Sequence, residues 1–237
     1  MKIQLLADAD AVAKTGAGVI AGAARSAVAT RGRCSLALSG GRTPWVMLRA
    51  LEDHEVPWRQ VEIFQVDERV APADSPDRNL THMQESLLAR ISLPPGRLHA
   101  MPVEESDLAV AAASYARTLE AVAGAPPVLD LVHLGLGPDG HIASLVPDDP
   151  VLQVTDAWVG VTAAYQQHRR MTLTYPVLNR ARAILFIVTG EDKADALVRL
   201  SRHDPTIPAG RIENPSVTVL ADRAAAPRLK AAGDRVR

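Results

Sequence analysis

Aromatic residues are scarce in this 237-residue chain, at two Phe, three Tyr and three Trp, or 3% of the total. So few rings argue against the stacked platforms on which single-stranded nucleic acids lie. Charge of one sign is missing too: 26 basic residues stand against 27 acidic ones, for a formal net charge of −1, and no long basic run occurs. No global field therefore favours nucleic acid or an anionic membrane. The one cysteine, Cys34, excludes an internal disulfide, and its place in an apolar run reads as a buried thiol. No Cys-x-x-Cys pair or His-Glu-x-x-His stretch points to a metal, and the seven histidines lack paired helical spacing. No window approaches the roughly 18 uncharged apolar residues of a membrane span. The opening MKIQLLADADAVAK turns acidic within ten residues, unlike a signal peptide, so a cytoplasmic protein without a membrane partner is the expectation.

What is present is the composition of a single α/β domain spanning residues 1–237, with 47% hydrophobic and 22% charged residues. Strand-like and helix-like segments alternate. Strands are expected at Cys34–Leu38, Val61–Val66, Val128–Leu134, Trp158–Thr162, Met171–Thr174, Ala183–Val188 and Val217–Leu220. Helices are expected at Ala9–Thr30, Thr43–Leu51, Asn79–Arg90, Ser106–Val122, Asp192–Ser201 and Ala224–Ala232, with Ser106–Val122 read as the longest clear one and Ser106 and Asp107 as its cap candidates. Such alternation implies a three-layer αβα, Rossmann-like fold around a mostly parallel sheet. The proline-rich stretches Leu93–Gly96 and Ala125–Pro127 read as turns rather than a domain linker.

In an open parallel sheet, ligands bind at the carboxyl ends of the strands. Four such ends carry polar groups. LDLVHLGLGPDGHIASLVP, residues 129–147, places Gly135, Gly137 and Gly140, the carboxylate of Asp139 and the imidazole of His141 on one loop. Histidine is the side chain whose ordinary pKa lies nearest neutrality, so this loop offers an acid or base. The glycines also satisfy the Gly-x-Gly-x-x-Gly dinucleotide fingerprint, with Asp156 as a passable acid. That fingerprint needs a long helix after the third glycine, and here His141–Val146 offers one or two turns before Pro147 and Pro150. His133, inside the apolar alternation, reads as a core residue.

At Leu38-Ser39-Gly40-Gly41-Arg42-Thr43-Pro44 a strand meets a helix. Bare backbone N–H groups, the helix dipole and two hydroxyls make a phosphate cradle there, or else a tight turn with Thr43 as N-cap. Asp67-Glu68-Arg69 ends an apolar run in three charges suited to acid–base work, of which one is expected to be a solvated loop residue. Lys193, in the first turn of a helix, opposes the helix dipole unless it serves an anion.

With these segments in order, the chain resembles the 6-phosphogluconolactonase branch of the family shared with glucosamine-6-phosphate isomerase. The matching stretches are LALSGGRTP, VDERVAPADSPDRNL, LVHLGLGPDGHIASLVP, RMTLTYPVLNRARAILFIVTGEDKADAL and PAGRI, collinear from residue 36 to residue 212. The resemblance implies hydrolysis of 6-phospho-D-glucono-1,5-lactone to 6-phosphogluconate in the oxidative pentose phosphate pathway, with no metal or organic cofactor. It implies that His141 is the base on water and that Asp67 and Arg69 line the lactone. It assigns Ser39, Gly40, Gly41, Thr43 and Lys193 to the phosphate, with Arg170 as a further phosphate-facing cation and Gly137 and Asp139 in the histidine loop.

Arg42 stands where the family commonly has a small hydroxyl residue, and Tyr165-Gln166-Gln167-His168-Arg169 where it tends to place prolines, which leaves Arg169 and Arg170 as alternatives in the alignment. Whether Asp139 or Asp67 orients the histidine stays open. The expected partner is a small sugar-phosphate lactone, met by a monomer. The isomerase-deaminase branch is the alternative enzyme, disfavoured because Ala143-Ser144-Leu145-Val146-Pro147 lacks that branch's glutamate before the proline. A sugar-phosphate sensor without catalysis is the alternative from another class, disfavoured because His141, Asp67 and Arg69 are all present.

Overall fold

The computed structural model describes residues 1–229. Seven strands form one parallel sheet: β1 (Lys2–Leu6), β2 (Cys34–Leu38), β3 (Val61–Gln65), β5 (Leu98–His99), β6 (Leu131–Gly135), β9 (Ile184–Val188) and β10 (Val217–Asp222). Their order across the sheet is β1-β10-β9-β6-β2-β3-β5, and every pairing is parallel. A parallel sheet needs helices on both faces, so its central strands are apolar throughout rather than alternating. In β9 the residues Leu185 and Ile187 face one helical layer while Ile184, Phe186 and Val188 face the other.

One layer holds α1 (Ala9–Arg31), α2 (Arg42–Ala50) and α3 (Asn79–Ser86). Helix α1 begins at Asp8, whose carboxylate accepts from the Ala11 N–H, and ends at Gly32 with φ 72°. Its buried stripe is mostly alanine and glycine, so it lies close on the sheet. A Cβ on Gly16 would sit 2.7 Å from Met47 Sδ and 2.8 Å from Ile187 Cδ1. The other layer holds α4 (Leu108–Ala123), α5 (Tyr175–Arg180) and α6 (Ala194–Ser201). Asp107 caps α4, accepting from Ala109 N and Val110 N.

Four expectations need correction. At 23 residues α1, not the 16-residue α4, is the longest helix. The segments expected as strands at Trp158–Thr162 and Met171–Thr174 stand outside the parallel sheet. They are β7 (Val159–Val161) and β8 (Arg170–Leu173), which join β4 (Asp67–Arg69) in a three-stranded antiparallel sheet. His141–Val146 is not helical: Ile142 and Leu145 close a tight turn with Ala143 at φ 49°. Between Ala224 and Leu229 the chain makes turns instead of the expected helix, as Pro227 interrupts it, and Lys230–Ala232 lie outside the described residues. Among the described residues no helix is long and apolar enough to cross a membrane.

The strand order positions the site. From β2 the chain steps outward through β3 to β5. From β6 it steps the opposite way through β9 to β10. The order thus reverses between β2 and β6, the kind of switch point at which the loops leaving two neighbouring strands separate and open a crevice. Val66 carries the chain from one sheet to the other: its N–H donates to Leu38 O beside the large sheet, and its carbonyl accepts from Leu173 N of the small one.

Candidate active site

A cleft of about 520 Å³ opens at that reversal. Ser39, Gly40, Gly41 and Thr43 reach it from the end of β2, Asp67 and Arg69 from β4, and Gly137 and His141 from the end of β6. Arg170 of β8 and Lys193 after β9 complete the set. Every site residue named from the sequence therefore lines one cavity except Asp139, which touches it through His141. Arg42 also lines the cleft and is exposed; of Arg169 and Arg170, the exposed Arg169 is absent from the lining and the buried Arg170 belongs to it.

The histidine loop folds on itself. Gly137 N donates to His141 O at 2.9 Å and Gly140 N to Gly137 O at 3.0 Å, so the imidazole returns over Gly137. A Cβ on Gly137 would collide with the His141 ring and lie 2.6 Å from Asp139 Oδ1, which is why glycine is needed there. Gly140 has φ 85°, another requirement that glycine meets without strain. His141 Nδ1 lies 2.6 Å from Asp139 Oδ1, an oxygen that also accepts from the His141 backbone N–H at 3.2 Å. This carboxylate, not Asp67, orients the ring. Partial burial pushes the Asp139 carboxyl up, but the His141 side-chain and backbone hydrogen bonds outweigh it and hold the group at about 2. An ionised Asp139 fixes the proton on Nδ1 and leaves Nε2 as the acceptor.

The β2 loop is not a turn capped by Thr43. Gly41, at φ 129°, stands at the N-cap of α2, and no side chain caps the helix. Thr43 Oγ1 instead meets Thr189 Oγ1 at 2.6 Å, tying this loop to the one after β9. Gly40 packs so tightly that an added Cβ would strike Asn79 Oδ1 and come within 2.7 Å of Trp45. Beneath the loop, His133 is fully buried, and its Nδ1 accepts from Ser39 N at 3.3 Å while Nε2 has no hydrogen-bond partner. Burial pulls its pKa to about 3, so it is a neutral prop. Lys193 ends the 3₁₀ turn Glu191–Lys193 that follows Gly190, and its Nζ contacts Asp192 at 3.0 Å.

Asp67 is 5% exposed, and its Oδ2 accepts from Ser144 Oγ at 2.7 Å. Burial raises its pKa, partly offset by Ser144, Arg170 and Arg69. Arg170, likewise 5% exposed, pairs in register with Arg69 across the small sheet. Burial lowers its pKa, and its Nε is a buried donor without a partner in the protein. A buried guanidinium with a free donor facing a cleft is able to receive an anion. Glu68, between them, is buried and structural: it accepts from Gln65 Nε2, Arg69 N, Asn79 N and Leu80 N, and faces Arg78.

Several contributors escaped the sequence reading. Asn79 donates to Asp67 O at 3.0 Å, and Asp222 accepts from Gly190 N with both oxygens, bracing the Lys193 turn. Asp222 is the last residue of β10, and its polar position at a strand end was the available signal.

The sequence profile described as "Glucosamine-6-phosphate isomerases/6-phosphogluconolactonase" matches residues 7–221. A 6-phosphogluconolactonase of Mycobacterium tuberculosis is 35% identical over 241 residues, covering 96% of this chain and 98% of the relative. One of Nostoc sp. is 34% identical over 202 residues, 84% of each chain. The crystal structure of 6-phosphogluconolactonase from Thermotoga maritima superposes with a TM-score of 0.83 at 28% identity, over 93% of this chain and 98% of that one. A monomeric glucosamine-6-phosphate deaminase reaches the same TM-score at 20% identity, a likeness of fold alone.

Proposed function

The chain belongs to the glucosamine-6-phosphate isomerase/6-phosphogluconolactonase family, and from that premise we propose that it is a 6-phosphogluconolactonase whose base is His141. The observation that carries the mechanism is the 2.6 Å contact between Asp139 and His141 at the edge of a cleft lined with hydroxyls, glycines and cations. Nε2 of His141 takes a proton from water as the oxygen attacks C1 of 6-phospho-D-glucono-1,5-lactone. The C1–O bond forms, the carbonyl π pair moves to oxygen, and Asp139 stabilises the imidazolium. The Arg69 guanidinium steadies the oxyanion. On collapse the carbonyl re-forms, the C1–ring oxygen bond breaks, and the imidazolium returns its proton to that oxygen, leaving neutral His141 and the free acid, which ionises to 6-phosphogluconate by releasing a proton to solvent.

Ser39, Gly40, Gly41, Thr43 and Lys193 hold the phosphate, with Arg170 completing the anion site. Asp67, bonded to Ser144, lines the lactone. This arrangement argues against the deaminase branch, because the loop after His141 carries Ser144 turned to Asp67 and a buried Val146 where a carboxylate would be needed. The test is an assay on freshly made lactone, corrected for spontaneous hydrolysis, beside glucosamine 6-phosphate. Lactone turnover without ammonia release supports the reading, and ammonia release refutes it. We further propose a monomer acting in the cytoplasm.

Two consequences follow for the same assay. Lys193→Ala is expected to raise KM for the phosphorylated lactone roughly ten- to hundredfold, the size of a lost charged hydrogen bond. Hydrolysis of unphosphorylated gluconolactone should hardly change, and equal losses on both substrates would assign Lys193 a structural role. Because the imidazole supplies the base, full activity is expected after exhaustive chelation with EDTA. A lactonase that dies in EDTA and revives with zinc would make His141 a ligand and a metal-bound hydroxide the nucleophile.

A further inference from the structure

The hairpin between β7 and β8 holds the least expected feature of the molecule. Tyr165 and His168 close a two-residue turn, with Tyr165 N donating to His168 O at 2.9 Å and the reverse bond at 3.2 Å. Its central residues, Gln166 and Gln167, have φ 49° and 70°. Two positive φ angles match the twist of a tight hairpin, but Asn and Gly bear them far more easily than Gln. Strain of this kind persists where the side chains it places are useful.

Those side chains form a chain of hydrogen bonds into the cleft. Arg170 Nη2 donates to Gln166 Oε1 at 3.3 Å, and Gln166 Nε2 donates to Tyr165 Oη at 3.4 Å. Tyr165 Oη donates to Asp139 Oδ2 at 3.3 Å, while the other oxygen of Asp139 holds His141. Each group uses a donor or acceptor left free by the previous contact, so the direction of every bond is fixed. Ring contacts reinforce the arrangement: the Arg170 guanidinium lies 5.2 Å from the Tyr165 ring centroid, and the His141 ring meets Tyr165 edge-on at 6.0 Å. The charged and titratable groups around the tyrosine are Asp139, His141 and Arg170, with Arg69 and Asp67 behind Arg170.

We propose that Tyr165 and Gln166 are positioning residues that lock the anion-binding Arg170 to the Asp139–His141 pair, so that the phosphate cation and the base are held as one unit. This rests on the lactonase reading. The phenol stops the Asp139 carboxylate from rotating and keeps Oδ1 on His141 Nδ1, which aims Nε2 at the water. The glutamine amide transmits the constraint to the guanidinium. Neither side chain touches the reacting atoms.

A double-mutant cycle tests it, because groups acting through one another are non-additive whereas independent ones add. Tyr165→Phe is expected to lower kcat three- to tenfold at nearly constant KM in the otherwise native enzyme. In an Asp139→Asn background the same change should cost less than twofold. Equal losses in both backgrounds, or no loss in the native one, overturn the proposal. The strained turn gives an independent arm. Gln166→Gly and Gln167→Gly both relax a positive φ and should both raise the melting temperature, but only Gln166→Gly should lower kcat. If the exposed Gln167 position costs as much turnover as Gln166, the loop acts through its backbone and the relay is refuted. A native enzyme inert toward the lactone refutes the lactonase reading and the catalytic role of the relay together. An active enzyme with an additive cycle refutes the relay alone.

Discussion

Replacing His141 by alanine is expected to slow lactone hydrolysis by roughly 10² to 10⁴, the range associated with a positioned general base. The loop should survive the change. Its turn is held by the backbone bonds from Gly137 N to His141 O and from Gly140 N to Gly137 O, and Ala209 N anchors it from outside by donating to Gly140 O. The imidazole itself is partly exposed and makes its side-chain hydrogen bond to Asp139 alone. The deficit should therefore appear in kcat while KM, set mainly by the phosphate cradle, changes little. Unchanged circular dichroism with wild-type turnover would remove His141 from the mechanism. Gly137→Ala provides a second route to the same loss. Its methyl group would occupy the space of the imidazole, so the ring must leave Asp139 even though both residues are still present. An enzyme indifferent to both substitutions would place the base elsewhere in the cleft.

The parts of this architecture that could be read in the chain are those where burial leaves a one-dimensional trace. Strands β2, β3 and β9 lie in the middle of a sheet covered on both faces, and their runs CSLAL, VEIFQ and ILFIV are bounded by polar turns. The histidine loop was legible for a similar reason. Glycine at 137 and 140 and a carboxylate two residues before His141 describe a local geometry that needs no distant partner. Of the small antiparallel sheet, β7 and β8 were legible as the strands Trp158–Thr162 and Met171–Thr174, but their place outside the parallel sheet left no such trace. With three or four residues apiece, DER, VGV and RMTL are too short to show which strands they pair with, and the charges of DER read as the polar end of the run before them. Assigning the carboxylates was harder still: Asp139 reaches His141 from two residues away, but that Ser144 takes up Asp67 depends on a contact across 77 residues. The Gln166-Gln167 turn carries no turn chemistry at all, so its two positive φ angles leave no mark in the sequence.

Glu68 is the sharpest case, and its replacement by alanine is expected to be the most damaging single change to stability. Among the three charges after Val66, solvation of one would be ordinary, and nothing local distinguishes the middle one. The alternation of β4 settles it: Asp67 and Arg69 share the face toward the cleft, so Glu68 points the other way, into the protein, where it is 0% exposed. There its Oε1 accepts from Arg69 N at 2.7 Å and Asn79 N at 2.8 Å, and its Oε2 accepts from Gln65 Nε2 and Leu80 N at 2.8 Å. The same oxygen stands 3.3 Å from Nε of Arg78, a guanidinium only 2% exposed. Removing the carboxylate strands four donors and takes from a buried cation one of its two carboxylate partners. Losing one partner of a buried pair costs about 3–5 kcal/mol, and a chain of this length loses roughly 2–4 °C of melting temperature per kcal/mol. Arg78 keeps a second partner in Glu104 at 2.6 Å, which places the expected loss near the lower bound, at about 10 °C. Calorimetric melting of Glu68→Ala beside the native protein checks this, and a shift under about 2 °C would show that the network is not holding the fold. Activity measured well below the melting range should fall as well, because Glu68 braces Arg69 through its backbone and the first turn of α3 through Asn79 and Leu80. Asn79 in turn fixes Asp67 by donating to its carbonyl. Glu68→Gln separates charge from shape: one of its amide positions must present N–H groups to backbone donors, so it should melt below the native protein and above the alanine variant.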